Sequence, residues 1–214
     1  MPSILKHSVI KPLLKKQNLT TEEFSSFRPI SNLKFLSKAI EKVVSHQLID
    51  HLERNNINVP LQSAYKKNHS VETALLKVQN DILRDIDMNK SVFLVLLDLS
   101  AAFDTVNHDI LLNRLNTSFG VRDLALKWFK SYLSDRQFYV SVPEGKSFSR
   151  SFDCGVPQGS ILGPILFSLY ISPIADIIHR HELGYHLYAD DTQLYISFST
   201  TSLCEMMTAK SKVD

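Results

Sequence analysis

The chain has 214 residues, 44% of them hydrophobic and 21% charged, which is an ordinary globular composition and excludes a disordered or fibrous protein. The net charge of +2 is too small to indicate nucleic-acid binding by itself, although lysine and arginine are crowded into the first third of the chain, a distribution that suits a polyanion. The two cysteines show no metal-ligand or disulfide spacing, so we expect a reducing compartment, the nucleus or the cytoplasm. The apolar runs 92–97 and 161–171 are too short or too interrupted to span a bilayer, and no signal peptide is recognisable, so we expect neither a membrane partner nor secretion.

The first ninety residues predict a basic arm followed by two helices. Residues 1–27 combine a basic stretch with serine, threonine and glutamate, which is typical of an extended arm. Apolar residues at three- and four-residue steps predict a helix over 33–54, with Ser31 or Asn32 as its cap. A basic segment at 65–69 leads to a second helix, capped by Ser70.

The rest of the chain predicts strands interleaved with helices. Residues 91–99 are predicted as a strand, because 92–97 form a continuous apolar run. The lack of alternation predicts burial on both faces, and Asp98 is the one charged residue in the strand. The further predicted elements are helices over 104–115 and 122–133, strands over 138–142 and 147–152, a helix that follows 155–160, hairpin strands over 186–188 and 193–198, and a helix over 202–210. This order favours an α+β domain with a mainly antiparallel sheet covered by helices on one face.

Three aspartates are the candidate chemical centre. Asp190 and Asp191 lie between the two hairpin strands, where an Asp-Asp pair is also common for reasons of turn conformation alone. Asp98 lies near the end of an apolar strand. Burying an unpaired carboxylate there would cost on the order of several kcal/mol, because the charge loses its contact with water. If the hairpin lies beside that strand, Asp98 and Asp190 converge and repel each other. Oxygen ligands without histidine or cysteine favour Mg²⁺, with Mn²⁺ as a substitute.

Five segments in order give the chain a family resemblance. They are FRPISN (27–32), QSAYKK (62–67), LLDLSAAFDTVNH (96–108), GVPQGSILGP (155–164) and YADD (188–191). The last three resemble motifs A, B and C of reverse transcriptases, and the first two resemble upstream blocks of the fingers in the non-LTR retrotransposon branch. Nearly the whole chain is covered, and the motif A segment is similar to that of LINE-type elements. The resemblance implies polymerase fingers and palm, with an antiparallel palm sheet backed by helices.

The resemblance also implies a metal centre for DNA synthesis. Asp98 and Asp190 would ligate two Mg²⁺ ions, Asp191 would complete the acidic cluster, and the Leu99 carbonyl would contribute a ligand. All three aspartates would be catalytic. The 3′ hydroxyl of a primer would attack the α-phosphate of a dNTP, with pyrophosphate as the leaving group, in the two-metal route of phosphoryl transfer.

Nucleotide contacts follow from the same resemblance. Phe103, five residues after Asp98, would be an aromatic gate beneath the sugar of the incoming dNTP, although its spacing alone suits a core phenylalanine. Gln158 and Gly159 precede a helix and would touch the nucleotide or the template. By residue type alone, the glycines and prolines of this segment indicate only a turn that leads into a helix.

Basic residues of the two upstream blocks would contact phosphates. Arg28 and Lys67 would bind the RNA template, and Lys66 would bind the triphosphate, because cationic side chains neutralise phosphates without reading sequence. The family more often has Gly-Phe-Arg where this chain has Ala64-Tyr65-Lys66. Lysine lacks the two-pronged grip of guanidinium.

The implied domains are an N-terminal arm (1–27), a fingers-like region (28–90) and an incomplete palm (91–214), with the thumb absent. We therefore expect an RNA-directed DNA polymerase domain that uses an RNA template, a DNA primer and dNTPs, as a fragment with weak or no activity alone. The oligomeric state is left open. The alternatives are a catalytically silent RNA-binding remnant and a group II intron-like reverse transcriptase, which shares the Ala-Asp-Asp core. Phe103 argues against an RNA-dependent RNA polymerase.

Overall fold

The structure is a computed structural model that describes residues 1–99 and 101–213. Ser100, within the first acidic motif, and Asp214 lie outside the described residues. The chain forms two compact units, each assembled from two stretches: Met1–Asn58 with Ala101–Tyr170, and Val59–Ser100 with Ile171–Asp214. The α+β class predicted from the sequence is confirmed.

The elements of the described residues agree with most of the predicted ones. The helices are α1 (Phe35–Arg54), α2 (Val71–Asp87), α3 (His108–Thr117), α4 (Asp123–Leu133), α5 (Leu162–Tyr170), α6 (Pro173–Arg180) and α7 (Leu203–Val213). The strands are β1 (His7–Leu14), β2 (Phe27–Asn32), β3 (Lys90–Leu97), β4 (Gln137–Val142), β5 (Gly145–Lys146), β6 (Arg150–Ser151), β7 (Gly184–Tyr188) and β8 (Asp191–Ser199). Short 3₁₀ turns occur at Ser3–Leu5, Phe24–Ser26 and Ala102–Asp104.

The first unit contains a mixed sheet in the order β2-β1-β4-β5, with β6 also paired to β4. The stretch predicted as an extended arm supplies β1, which is antiparallel to β2 and parallel to β4. Helix α3 packs against both α4 and α5. Leucines four residues apart, Leu111 with Leu115 and Leu162 with Leu166, are fully buried because that spacing places both members of a pair on one helix face.

Helix α1 buries a face that its apolar pattern does not predict. Ser37, Glu41 and Ser45 are buried, whereas Leu36 and Val43 are more than half exposed. The Glu41 carboxylate accepts hydrogen bonds from the backbone N–H groups of Ile161 (2.8 Å) and Leu162 (3.4 Å) at the start of α5. A carboxylate is stabilised at a helix N-terminus by the unpaired N–H groups and the helix dipole, which explains why a charged residue faces inward.

The second unit is built around an antiparallel sheet in the order β3-β8-β7. Helix α2 packs against all three strands, α7 against β8 and β3, and α6 against β7. Ser70 and Thr73 form a reciprocal capping box at the start of α2, as the predicted cap requires. The turn between β7 and β8, which contains Asp190, therefore lies at one end of a sheet that is held in place by these helices.

Strand β3 corrects the prediction of burial on both faces. None of its residues is buried, and Leu94, Leu96 and Leu97 are 46, 69 and 43% exposed. In the described residues β3 is an edge strand that pairs with β8 alone. A continuous apolar run is therefore no proof of cover on both faces of a sheet.

One apolar stretch, 162–180, is long and apolar enough to cross a membrane by length and composition alone, with a mean hydropathy of 1.4. It comprises α5 and α6, and α6 begins with Pro173. Each helix is shorter than the roughly 20 residues that a bilayer requires. Because core helices of water-soluble proteins meet the same criterion, the stretch is only weak support for a membrane span.

Candidate active site

The acidic turn joins β7 to β8 through two residues, Ala189 and Asp190, closed by the pairing of Tyr188 with Asp191. Ala189 has a φ of 57°, the left-handed conformation that residues with a Cβ atom rarely adopt. Asp190 is half-buried in the turn, while Asp191 is exposed as the first residue of β8. The turn is therefore strained at the residue that precedes Asp190.

The sheet register brings Asp98 to the same end. Strand β3 is antiparallel to β8, and its last pair is Leu97 with Thr192. Asp98 follows directly after Leu97 and is exposed, while Asp191 directly precedes Thr192. The prediction that the hairpin lies beside the Asp98 strand is confirmed.

The charges of Asp98 and Asp190 act on the Asp191 carboxylate. Partial burial, followed by the negative charges of Asp190 and Asp98, raises the pKa of Asp191 above its ordinary value. Burial and the charge of Asp190 also raise the pKa of Tyr65. Among the described residues no salt bridge involves any of the three aspartates. Repulsion from the neighbouring carboxylates is therefore one of the effects that act on Asp191 at this end of the sheet.

The chemistry of these residues fits a hard divalent cation. Three carboxylates and the backbone carbonyl of Leu99 offer the oxygen ligands that Mg²⁺ and Mn²⁺ prefer, and a cation would relieve the repulsion at Asp191. No group of three His, Cys, Asp or Glu side chains within 1–99 and 101–213 is already arranged to hold a metal ion.

The basic segment lies in the second unit, as the aspartates do. Tyr65 and Asn68 both have a positive φ, of 59° and 61°, so the backbone turns sharply on either side of Lys66 and Lys67. The carbonyl oxygen of Lys66 accepts a hydrogen bond from the backbone N–H of His69. Lys66 is half-buried and Lys67 is exposed, and in the described part of the chain neither forms a salt bridge.

The first unit contains the other predicted nucleotide residues. The backbone N–H of Val156 donates to the carbonyl oxygen of Phe103 at 2.7 Å, which ties the start of the glycine-rich segment to the 3₁₀ turn of Phe103. The Phe103 ring is half-buried, with its centroid 5.1 Å from that of Phe167. Gln158 is half-buried and Gly159 is exposed. The structure thus brings Phe103 and the segment of Gln158 together.

Gly159 and Arg28 are linked through β2. Gly159 has a φ of 102°, and a Cβ atom there would lie 3.1 Å from the carbonyl oxygen of Ser31, so both conformation and space favour glycine. The backbone N–H of Ser31 donates to the Gln158 carbonyl oxygen at 2.7 Å. Arg28 is exposed on the same strand.

Sequence reasoning missed Gln62, which contacts the acidic turn. The Ala189 N–H donates to Gln62 Oε1 at 3.1 Å, and Gln62 Nε2 donates to the Ala189 carbonyl oxygen at 3.4 Å. Gln62 belongs to a segment already singled out for its lysines, so the available signal was its place in that segment. A single polar residue whose partner lies 127 positions away produces no periodic pattern in the sequence, so the contact itself could not be predicted.

Comparison with known proteins defines the family. The sequence model described as reverse transcriptase (RNA-dependent DNA polymerase) matches residues 13–212, so the chain belongs to the reverse transcriptase family. It is 33% identical over 190 residues to the probable RNA-directed DNA polymerase from transposon BS of Drosophila melanogaster, covering 86% of this chain and 21% of that protein. It is 30% identical over 186 residues to the RNA-directed DNA polymerase from mobile element jockey of the same species, covering 84% and 20%.

These similarities identify a reverse transcriptase domain of the non-LTR retrotransposon type. The chain spans about a fifth of the length of these curated relatives. Among solved structures, apo telomerase from Candida tropicalis matches with a TM-score of 0.65 and 14% identity, over 98% of this chain and 41% of that one. At this identity the match shows the fold alone, which is the fingers-and-palm fold of reverse transcriptases.

Proposed function

We propose that this chain carries the catalytic centre of an RNA-directed DNA polymerase that extends a DNA primer on an RNA template by a two-metal mechanism. The observation that supports it best is the β3-β8-β7 register, which gathers Asp98, Asp190 and Asp191 at one end of a sheet. Burial, and then the negative charges of Asp190 and Asp98, raise the pKa of Asp191, and divalent cations would relieve the repulsive part of that effect.

In the proposed reaction the primer 3′ oxygen forms a bond to the α-phosphorus of the dNTP. The bond from that phosphorus to the bridging oxygen breaks, pyrophosphate leaves with the electron pair, and the hydroxyl proton passes to solvent. Asp98, Asp190, Asp191 and the Leu99 carbonyl would hold two Mg²⁺ ions. Bound there, the ions would supply positive charge against the attacking and leaving oxygens. The protein contributes mainly position and charge.

The remaining predicted contacts form the substrate part of the proposal. The Phe103 ring would select deoxyribose, and Gln158 with Gly159 would line the nucleotide or template. Lys66 would contact the triphosphate as a point charge, while Arg28 and Lys67 would neutralise template phosphates. The proposal includes the division into arm, fingers-like region and palm, and a nuclear or cytoplasmic location.

The proposal is tested by a chimera in which residues 13–212 replace the matching segment of the transposon BS relative. We expect Mg²⁺-dependent addition of dNTPs to a DNA primer on an RNA template. Asp98→Asn and Asp190→Asn should each abolish addition, whereas Asp109→Asn, at an exposed position in the first turn of α3, should not. A chimera that binds RNA tightly and extends no primer with Mg²⁺ or Mn²⁺ would instead establish the silent RNA-binding remnant.

A further inference from the structure

A buried side-chain amide is attached to the backbone of the acidic turn. Gln62 is 6% exposed, and its amide pairs with Ala189 in both directions, accepting from the N–H and donating to the carbonyl oxygen. Its Oε1 also accepts from the backbone N–H of Ala64 at 3.0 Å. The amide therefore forms one hydrogen bond within its own segment and two with Ala189, the residue that precedes Asp190.

The segment that carries Gln62 lies along β7. The Leu187 N–H donates to the Leu61 carbonyl oxygen at 2.9 Å, and the Ser63 N–H donates to the Leu187 carbonyl oxygen at 3.0 Å. These bonds form an isolated parallel bridge between Gln62 and Leu187. The backbone pairing of this segment with β7 ends at Leu187. The side-chain amide of Gln62 then forms the next hydrogen bonds, to the backbone of Ala189.

The turn needs a restraint of this kind. Ala189 has a positive φ, which costs about 1–2 kcal/mol for a residue with a Cβ atom. This strain favours movement of the Ala189-Asp190 backbone away from its place. A neutral amide opposes that movement without adding to the negative charge or competing with a cation for the carboxylates.

We propose that Gln62 is a positioning residue that fixes the Ala189-Asp190 turn and thereby orients the Asp190 carboxylate towards the proposed cation site. The inference rests on the proposed polymerase function. A polar residue buried only for packing would satisfy any nearby backbone group, whereas two of the three contacts of Gln62 reach the residue next to Asp190. A displacement of the carboxylate of about 1 Å is expected to lower kcat up to about 100-fold.

The test uses the BS chimera and compares Gln62→Met with Ser63→Ala. Methionine matches the volume of glutamine but cannot pair with Ala189. Ser63→Ala removes the equally buried hydrogen bond between the Ser63 hydroxyl and His186 Nε2 (2.9 Å) and leaves Ala189 untouched, so it controls for loss of stability. Gln62→Asn, which keeps the amide but is one methylene shorter, is a second probe should the methionine variant not fold.

For Gln62→Met we expect kcat about 10- to 100-fold lower, a higher Mg²⁺ concentration for half-maximal rate, and an unchanged KM for dNTP. Ser63→Ala should keep kcat within about twofold, since its effect is limited to one hydrogen bond away from the turn. Wild-type kcat in a folded Gln62 variant, or an equal loss in Ser63→Ala, overturns the inference while the polymerase function stands. If the unaltered chimera extends no primer, the proposed function fails first and the inference fails with it.

Discussion

Gln158 donates a hydrogen bond from Nε2 to both carboxylate oxygens of Asp104, at 3.1 Å each. Asp104 directly follows Phe103, so the pair joins the two segments that carry the proposed nucleotide contacts. The Gly155 N–H reinforces the junction by donating to the Val106 carbonyl oxygen at 2.7 Å. Gln158 is therefore held in position by a neighbouring charge.

Asp104→Asn is expected to raise the KM for dNTP in the BS chimera and leave kcat unchanged. The substitution removes the charge that strengthens the hydrogen bonds to Gln158, worth about 1 kcal/mol or a few-fold in KM. Steady-state primer extension at varied dNTP measures it. Asp109→Asn is the control, and an unchanged KM in Asp104→Asn would show that the Gln158 contact has no part in nucleotide binding.

Phe103→Ala should reduce the preference for dNTP over rNTP. Loss of the ring removes the proposed clash with a 2′ hydroxyl, and we expect discrimination to fall by at least about tenfold in kcat/KM. Competitive incorporation of dNTP and rNTP provides the measurement. Phe167→Leu disturbs the ring packed against Phe103 and controls for packing loss. Equal discrimination before and after Phe103→Ala would rule out the gate.

Gly155→Ala should be strongly destabilising. A Cβ atom at position 155 would lie 2.8 Å from the Phe103 carbonyl oxygen and 2.9 Å from that of Asp104, and the residue has a φ of 84°. Steric overlap and backbone strain together are expected to cost about 2–4 kcal/mol. Gly145→Ala, with nothing within 4 Å of the added atom, is the matched control. Urea unfolding of the 214-residue chain compares the two, and equal stabilities would refute the close approach.

His186 predicts a loss of stability in mild acid. It is 4% exposed, and burial, together with the charges of Lys77 and His69, lowers its pKa below the ordinary value. In the unfolded chain the imidazole takes up a proton near pH 6.5, whereas in the folded chain it takes up the proton at a lower pH. The free energy of unfolding therefore falls as the pH drops below about 6.5.

His186→Gln should flatten this dependence below about pH 6.5, because the group that binds the extra proton in the unfolded state is gone. Urea unfolding of both proteins at several pH values measures the slopes. A slope in the variant as steep as that of the unaltered chain would assign the acid sensitivity to another group.

Local pattern predicted the elements that carry the acidic centre. The apolar run before Asp98 and the apolar runs on either side of Asp190 and Asp191 predicted strands directly, and the register follows once two such strands pair. The helix over 33–54 was also predicted, as α1, but the predicted cap was wrong: the N-cap is Lys34, without a side-chain hydrogen bond, and not Ser31 or Asn32.

Features that depend on distant partners could not be predicted in this way. Strand β1 contains Lys11 and Pro12, which weaken any strand signal, and its pairing with β2 and β4 supplies the missing stability. A glutamate on a helix, such as Glu41, is expected to face solvent. Only its hydrogen bonds to the N-terminus of α5 explain its burial. The exposure of β3 likewise depends on which strands flank it.

Mn²⁺ binding to the 214-residue chain tests the central claim most directly, because it needs neither primer nor template. Since the pKa of Asp191 is raised in the folded chain, its ionised form lowers stability at neutral pH, and a bound cation should offset that effect. We predict that Mn²⁺ raises the Tm in a saturable way at pH 7.5, and that Asp98→Asn and Asp190→Asn abolish the rise while Asp109→Asn preserves it. An equal rise in all four proteins, or none in the unaltered chain, would contradict a cation site formed by these aspartates.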